Sequence, residues 1–162
     1  MLRFLDKLLK KPENIVRTPI DGISCTLNKA KDPLFADGTM GSGCFITPNV
    51  GKVYAPVSGT ITMAFPTKHA YGIKTKNNIE LMIHIGVDTV ELNGQYFKSY
   101  VQTNQKVLEG ELIAEFDKEA LEKRGIVTDV FLIVTDKEHS NFDIFYGEVN
   151  TGDLLFTFPE DK

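Results

Sequence analysis

Beyond residue 17 the apolar positions fall in short runs rich in Val, Ile, Thr and Phe, broken by frequent turn signals. The signals are Asp21-Gly22, Asp37-Gly38, Gly41-Ser42-Gly43, Ser58-Gly59, Asn77-Asn78, Asn93-Gly94, Glu109-Gly110 and Thr151-Gly152. Short strands at this spacing predict an all-β fold, an antiparallel β-sandwich/barrel hybrid. Two echoes predict internal duplication. Pro19, Ile20, Asp21, Gly22 and Ile23 resemble Pro56, Val57, Ser58, Gly59 and Thr60, and the stretch 107–113 resembles 149–155. Each echo reads as a strand–turn–strand unit whose Gly takes a positive φ. One internal helix is predicted over 118–124, with Asp117 as N-cap and Gly125 as stop. The fold therefore contains one or two short helices.

The first eleven residues follow a different period. Met1, Leu2, Phe4, Leu5, Leu8 and Leu9 cover about 160° of a helix, with Arg3, Asp6, Lys7, Lys10 and Lys11 opposite. Pro12 ends the pattern. Such a segment folds on an anionic membrane surface, or docks as an ordinary helix on the domain, or frays. The expected organisation is an amphipathic tail over 1–17 and one domain over 18–162.

Composition narrows the function. At 162 residues, 42% hydrophobic, the chain can bury a core without disulfide or structural metal. No apolar run reaches the ~18 residues of a membrane span. The net charge of -4 argues against nucleic acid. That charge is uneven: residues 1–17 hold five basic and two acidic groups, and the remainder holds 13 basic against 20 acidic. Cys25 and Cys44 lack any metal-binding spacing and read as reduced thiols of a cytoplasmic protein.

Candidate chemistry rests on the three histidines. In the strand 81–87, alternation puts Met82, His84 and Gly86 on one face and Leu81, Ile83, Ile85 and Val87 on the other, the core face. Pairing 70–76 with 79–85 around a two-residue Asn77-Asn78 turn brings His69 near His84. Thr67 then lies within reach of an imidazole nitrogen of His69 and fixes its tautomer. Two adjacent imidazoles suit nucleophilic chemistry in which one ring carries a phosphoryl group and the other donates to its oxygens. They equally suit two satisfied structural histidines. His139, in a polar turn, reads as a solvated loop residue.

The stretch from Leu81 through His84 to Leu92 resembles the signature of the glucose-type IIA components of the bacterial phosphoenolpyruvate-dependent sugar phosphotransferase system. Ala55 to Gly59, Thr67 to Ala70 and Gly94 to Phe97 match in order and spacing, and the resemblance covers about residues 18–158. It implies that His84 accepts a phosphoryl group on Nε2 from the phosphocarrier HPr and passes it to the IIB domain of a sugar permease. His69 would hold the phosphoryl oxygens, Thr67 would orient His69, and Gly86 would offer its carbonyl to the other nitrogen of His84. Asp32 and Asp88 would face basic groups of HPr, and Phe35, Met40, Phe65, Met82, Ile85 and Val90 would form an apolar docking ring. Asn78 stands where the family usually has Gly, and Met82 and Ile85 replace aromatics of some relatives. No cofactor is implied. The resemblance also favours the membrane reading of residues 1–11, which would place the protein at the inner face of a membrane.

Three other readings compete. The His84-to-Asp88 spacing occurs in zinc peptidases of related β architecture, but catalytic zinc normally needs three protein ligands. His69 and His84 alone hold zinc weakly, with a partner's carboxylate as third ligand. The stretch from Val107 resembles a biotin- or lipoyl-carrier hairpin, without the modified lysine. A purely regulatory binding module would not need both histidines and Thr67.

Overall fold

A computed structural model describes residues 14–160, so the amphipathic segment and its membrane reading lie outside the described residues. Fourteen short strands account for most of the regular structure: β1 (Ile15–Arg17), β2 (Gly22–Thr26), β3 (Ser42–Pro48), β4 (Lys52–Tyr54), β5 (Gly59–Ala64), β6 (Ala70–Lys74), β7 (Glu80–Ile85), β8 (Phe97–Ser99), β9 (Lys106–Val107), β10 (Leu112–Phe116), β11 (Val130–Val134), β12 (Asp143–Ile144), β13 (Gly147–Val149) and β14 (Leu154–Thr157). Two helices join them, α1 (Pro33–Ala36) and α2 (Lys118–Lys123). Asp117 caps α2 by accepting from the Ala120 amide, and Gly125 follows it at φ 75°, as the sequence predicts. Arg17 and its two neighbours pair with β14, so the folded body begins before residue 18.

All pairings are antiparallel. The large sheet runs β13-β2-β3-β11-β7-β6-β5-β9, and two smaller sheets run β1-β14-β12 and β4-β10-β8. Among the described residues no sheet closes into a barrel, and the strand order of the large sheet has two ends. Read inward from either end, β13-β2-β3-β11 matches β9-β5-β6-β7, and the two small sheets match each other. This is the duplication that the echoes foretold. The hydrogen bonds repeat with it. The Thr18 amide donates to the Asp153 carbonyl as Ala55 does to Glu111, and Gly152 donates to Thr18 as Gly110 does to Ala55. Gly110 and Gly152 take φ of 89° and 91°, as a turn glycine must. Gly22 and Gly59 differ from expectation. They are strand residues in which a side chain is excluded by contact: a Cβ would stand 2.1 Å from the Thr47 carbonyl oxygen at Gly22, and 2.4 Å from that of Lys74 at Gly59. Gly43 is likewise inside β3 instead of in a turn, pressed against the Leu132 carbonyl.

The main core joins the large sheet to the small ones, with Val16, Ile46, Ile61, Ile83, Ile85, Leu132 and Phe156 all buried. A second cluster of Phe35, Phe45, Phe131 and Ile133 covers the other face of the large sheet, with Leu27, Ala30 and Met82 packed on it. All five residues of β11 are buried, because both its faces are covered.

Candidate functional site

β7 alternates as the sequence dictates. Leu81, Ile83 and Ile85 enter the main core, and Met82 and His84 lie half-buried on the opposite face. The hairpin register differs by one residue from the expected one. Ala70, not Tyr71, pairs with His84, and the loop has three residues, 76–78, with Asn78 at φ 65°. The reason is local. Thr75 pairs with Ile79 through the Ile79 carbonyl, and Asn78 alone supplies the left-handed conformation that closes the turn.

His69 still reaches His84, because it precedes β6 and is delivered by a turn. The Lys68 amide donates to the Phe65 carbonyl and the Phe65 amide to that of Ala70. Lys68 adopts φ 61° between them. The Ile85 amide donates to the His69 carbonyl at 2.7 Å. The two imidazoles meet at 5.0 Å between centroids, almost perpendicular at 86°. Thr67 Oγ1 lies 2.6 Å from His69 Nδ1. His69 is only 3% exposed. Burial, followed by the nearby His84 ring, depresses its pKa to about 4. His84 is also held below its ordinary value, by burial; its main-chain contact with Gly86 and then the charges of Asp32 and Asp88 oppose the shift.

Nδ1 of His84 is buried and makes no hydrogen bond of ordinary geometry among the described residues. The Gly86 main chain lies close enough to favour a protonated ring without completing that bond. Gly86 itself is required by shape. Its φ is 78°, and a Cβ there would fall 2.5 Å from Thr89 Cγ2. Its amide donates to the Asp129 carbonyl, and the buried Thr89 hydroxyl donates to that of Ile85.

The predicted docking ring divides. Phe65, Met40 and Val90 are exposed, and Asp88 stands exposed at φ 59°. Asp32 caps α1 by accepting from the Leu34 amide at 3.0 Å. Two members are corrected. Ile85 is 0% exposed, because the alternation that lifts His84 out of the core drives Ile85 into it. Phe35 is buried as well: α1 lays its ring on Phe131 at 4.0 Å and against His84 at 5.1 Å. Phe35 therefore floors the imidazole of His84, and Ile85 belongs to the main core. Sequence reasoning missed Phe131, the β11 partner of His84, whose ring is 6.1 Å from the imidazole. The signal was the unbroken apolar run 130–134. It also missed Tyr71, whose buried hydroxyl donates to the Lys68 carbonyl at 3.0 Å.

His139 differs from the solvated residue expected. Its Nδ1 meets the Asp136 carboxylate, whose other oxygen accepts from the Glu80 amide, and its ring packs on Phe158. It lies on a different element from the pair. Cys44 is buried and Cys25 half-buried. Among the described residues no three His, Cys, Asp or Glu side chains gather as a metal site, so the zinc-hydrolase reading finds no third ligand there. No described helix is long and apolar enough to cross a membrane.

Chemically, the arrangement offers one half-buried neutral imidazole on an apolar floor. A second imidazole is locked beside it, and exposed apolar and acidic groups surround both. A family model described as the phosphoenolpyruvate-dependent sugar phosphotransferase system, EIIA 1, matches residues 14–140. Among solved structures, glucose permease IIA from Mycoplasma capricolum is 37% identical, with a TM-score of 0.82 over 88% of this chain and 93% of that one.

Proposed function

This chain belongs to the EIIA 1 family of the phosphoenolpyruvate-dependent sugar phosphotransferase system, and from that premise we propose that its phosphoryl group travels on Nε2 of His84. The chain is a phosphocarrier in sugar uptake and a phosphotransferase component. HPr is the donor and the IIB domain of a sugar permease the acceptor. The similar structure is a glucose permease IIA, which makes a glucose-specific IIB domain the acceptor to test first.

The observation that carries this reading is the perpendicular imidazole pair with Thr67 on one ring. With a pKa of about 4, His69 is neutral near pH 7. If the Thr67 hydroxyl donates to Nδ1, the proton of His69 sits on Nε2, where it can donate to a phosphoryl oxygen. His84 is neutral in the same range, so a ring nitrogen has a lone pair for in-line attack. The P–N bond forms as the bond to the donor breaks. The transition state is loose, so positioning and charge stabilisation supply the catalysis. Asp32 and Asp88 add negative potential beside His84 that suits basic partners. Met40, Phe65, Val90 and the edge of Met82 provide the apolar contact.

The test is labelling by radioactive phosphoenolpyruvate with enzyme I and HPr. His84→Ala is expected to abolish the label, and His69→Ala to slow transfer to a IIB domain while the circular dichroism spectrum stays native. Undiminished labelling of the His84 variant overturns the assignment.

A further inference from the structure

The turn 65–69 delivers His69, assigned above to the phosphoryl oxygens, together with the Thr67 hydroxyl that holds it, yet the residue between them is a poor choice for its conformation. Lys68 stands at φ 61°, a region that Gly, Asn and Asp enter readily and other residues do not. Its amide is held by the Phe65 carbonyl at 2.8 Å, and its stem lies beside Gly94, where a Cβ would come within 3.7 Å of Lys68 Cδ. Its carbonyl accepts from Tyr71 at 3.0 Å. Tyr71 is fully buried in the main core and pairs with Ile83 on β7, one residue before His84. Ser99 of β8, in one of the small sheets, lies beside the same hydroxyl. The hydroxyl is therefore anchored by the strand pair that bears His84, and it acts on the residue between Thr67 and His69.

We propose that Tyr71 is a positioning residue for phosphoryl transfer: its hydroxyl holds Lys68 in the left-handed conformation that keeps Thr67 on His69 and His69 on His84. The proposal rests on the function assigned to the two histidines above. A phenylalanine at 71 keeps the packing and removes the one hydrogen bond. The turn then relaxes, the Thr67–His69 contact becomes intermittent, and the donor nitrogen of His69 is no longer fixed.

Three readouts test this on the full chain. In Tyr71→Phe, the imidazole nitrogen resonances of His69 should change from one tautomer to an average of two. Transfer from phosphorylated HPr should slow by about ten-fold, less than the ~100-fold that a full 1 Å misplacement at a reacting centre can cost. Lys68→Asn in the Tyr71→Phe background should restore both, because Asn holds the left-handed conformation unaided. Unchanged resonances and rate in Tyr71→Phe overturn the proposal, and so does a deficit that Lys68→Asn leaves uncorrected, since that marks general loosening of the core. The resonances are read without phosphorylation. Failure of His84 labelling in the parent would therefore refute the functional reading and leave the positioning decided by spectroscopy.

Discussion

His69 shows how burial sets the protonation of one side chain. Removed from water and placed against a second imidazole, it titrates near 4 in place of 6.5. The unfolded chain therefore takes up a proton at residue 69 between those values that the folded chain refuses. Stability from this source is complete above about pH 6.5 and is lost as pH falls through about 4, with a total on the order of 3 kcal/mol. His84, also depressed, adds to the loss with the same sign. Urea unfolding of the parent from pH 7.5 to pH 4 should show the midpoint falling, and His69→Gln should flatten that fall. Equal slopes would mean that His69 is solvated in the folded state.

At the scale of elements, the strand that bears His84 depends on its neighbours. His84 rests on Phe131 of β11, and α1 closes the layer by stacking Phe35 on the same ring. Phe131→Ala should cost about 3–5 kcal/mol, as expected for emptying a fully buried aromatic site, and should free Phe35 from its stack. A denaturation midpoint shift of less than 1 kcal/mol equivalent would contradict this. Much of this level was readable from the chain. The 81–87 alternation placed His84 and Ile85 on opposite faces, and that pattern prevailed over the resemblance, which put Ile85 on the docking ring. The hairpin register was not readable, because two consecutive Asn residues do not disclose which one takes the left-handed conformation. The slip did no harm to the histidine pairing, since His69 comes from a turn and not from the strand ladder. The position of Phe35 was hidden too. It arrives on a four-residue helix, too short to leave a period in the sequence. Tyr71 looked like one more aromatic in a strand, and only the hydrogen bond its hydroxyl makes to the carbonyl three residues back suggests the role proposed above.

At the scale of the molecule, the fold is one design used twice. Thr47 and Lys74 occupy matched places on β3 and β6, and their carbonyls crowd Gly22 and Gly59 in the same manner. Gly22→Ala and Gly59→Ala should therefore destabilise by similar amounts, about 1–3 kcal/mol each; a large loss at one and none at the other would deny the equivalence. The halves part company where the site lies. The β5–β6 connection is a tight five-residue turn that carries Thr67 and His69, whereas the β2–β3 connection is a longer segment that carries α1. Met82 opposite Ile133 and His84 opposite Phe131 are matched pairs about the centre of the sheet, so the place equivalent to His84 holds Ile133. Duplication supplied the scaffold, and the imidazole pair resides in one copy.

The mirrored strand order has another outcome, for life in a crowded solution. The large sheet tapers at both ends, to β13 with three residues and β9 with two. An open sheet normally exposes a row of unpaired amides and carbonyls that can recruit a foreign strand, and very short edge strands are one way of blunting it. A sheet of eight strands that finishes in such stubs offers little template for stacking on its own kind. A carrier that must meet and leave several partners in turn can then be abundant without becoming adhesive.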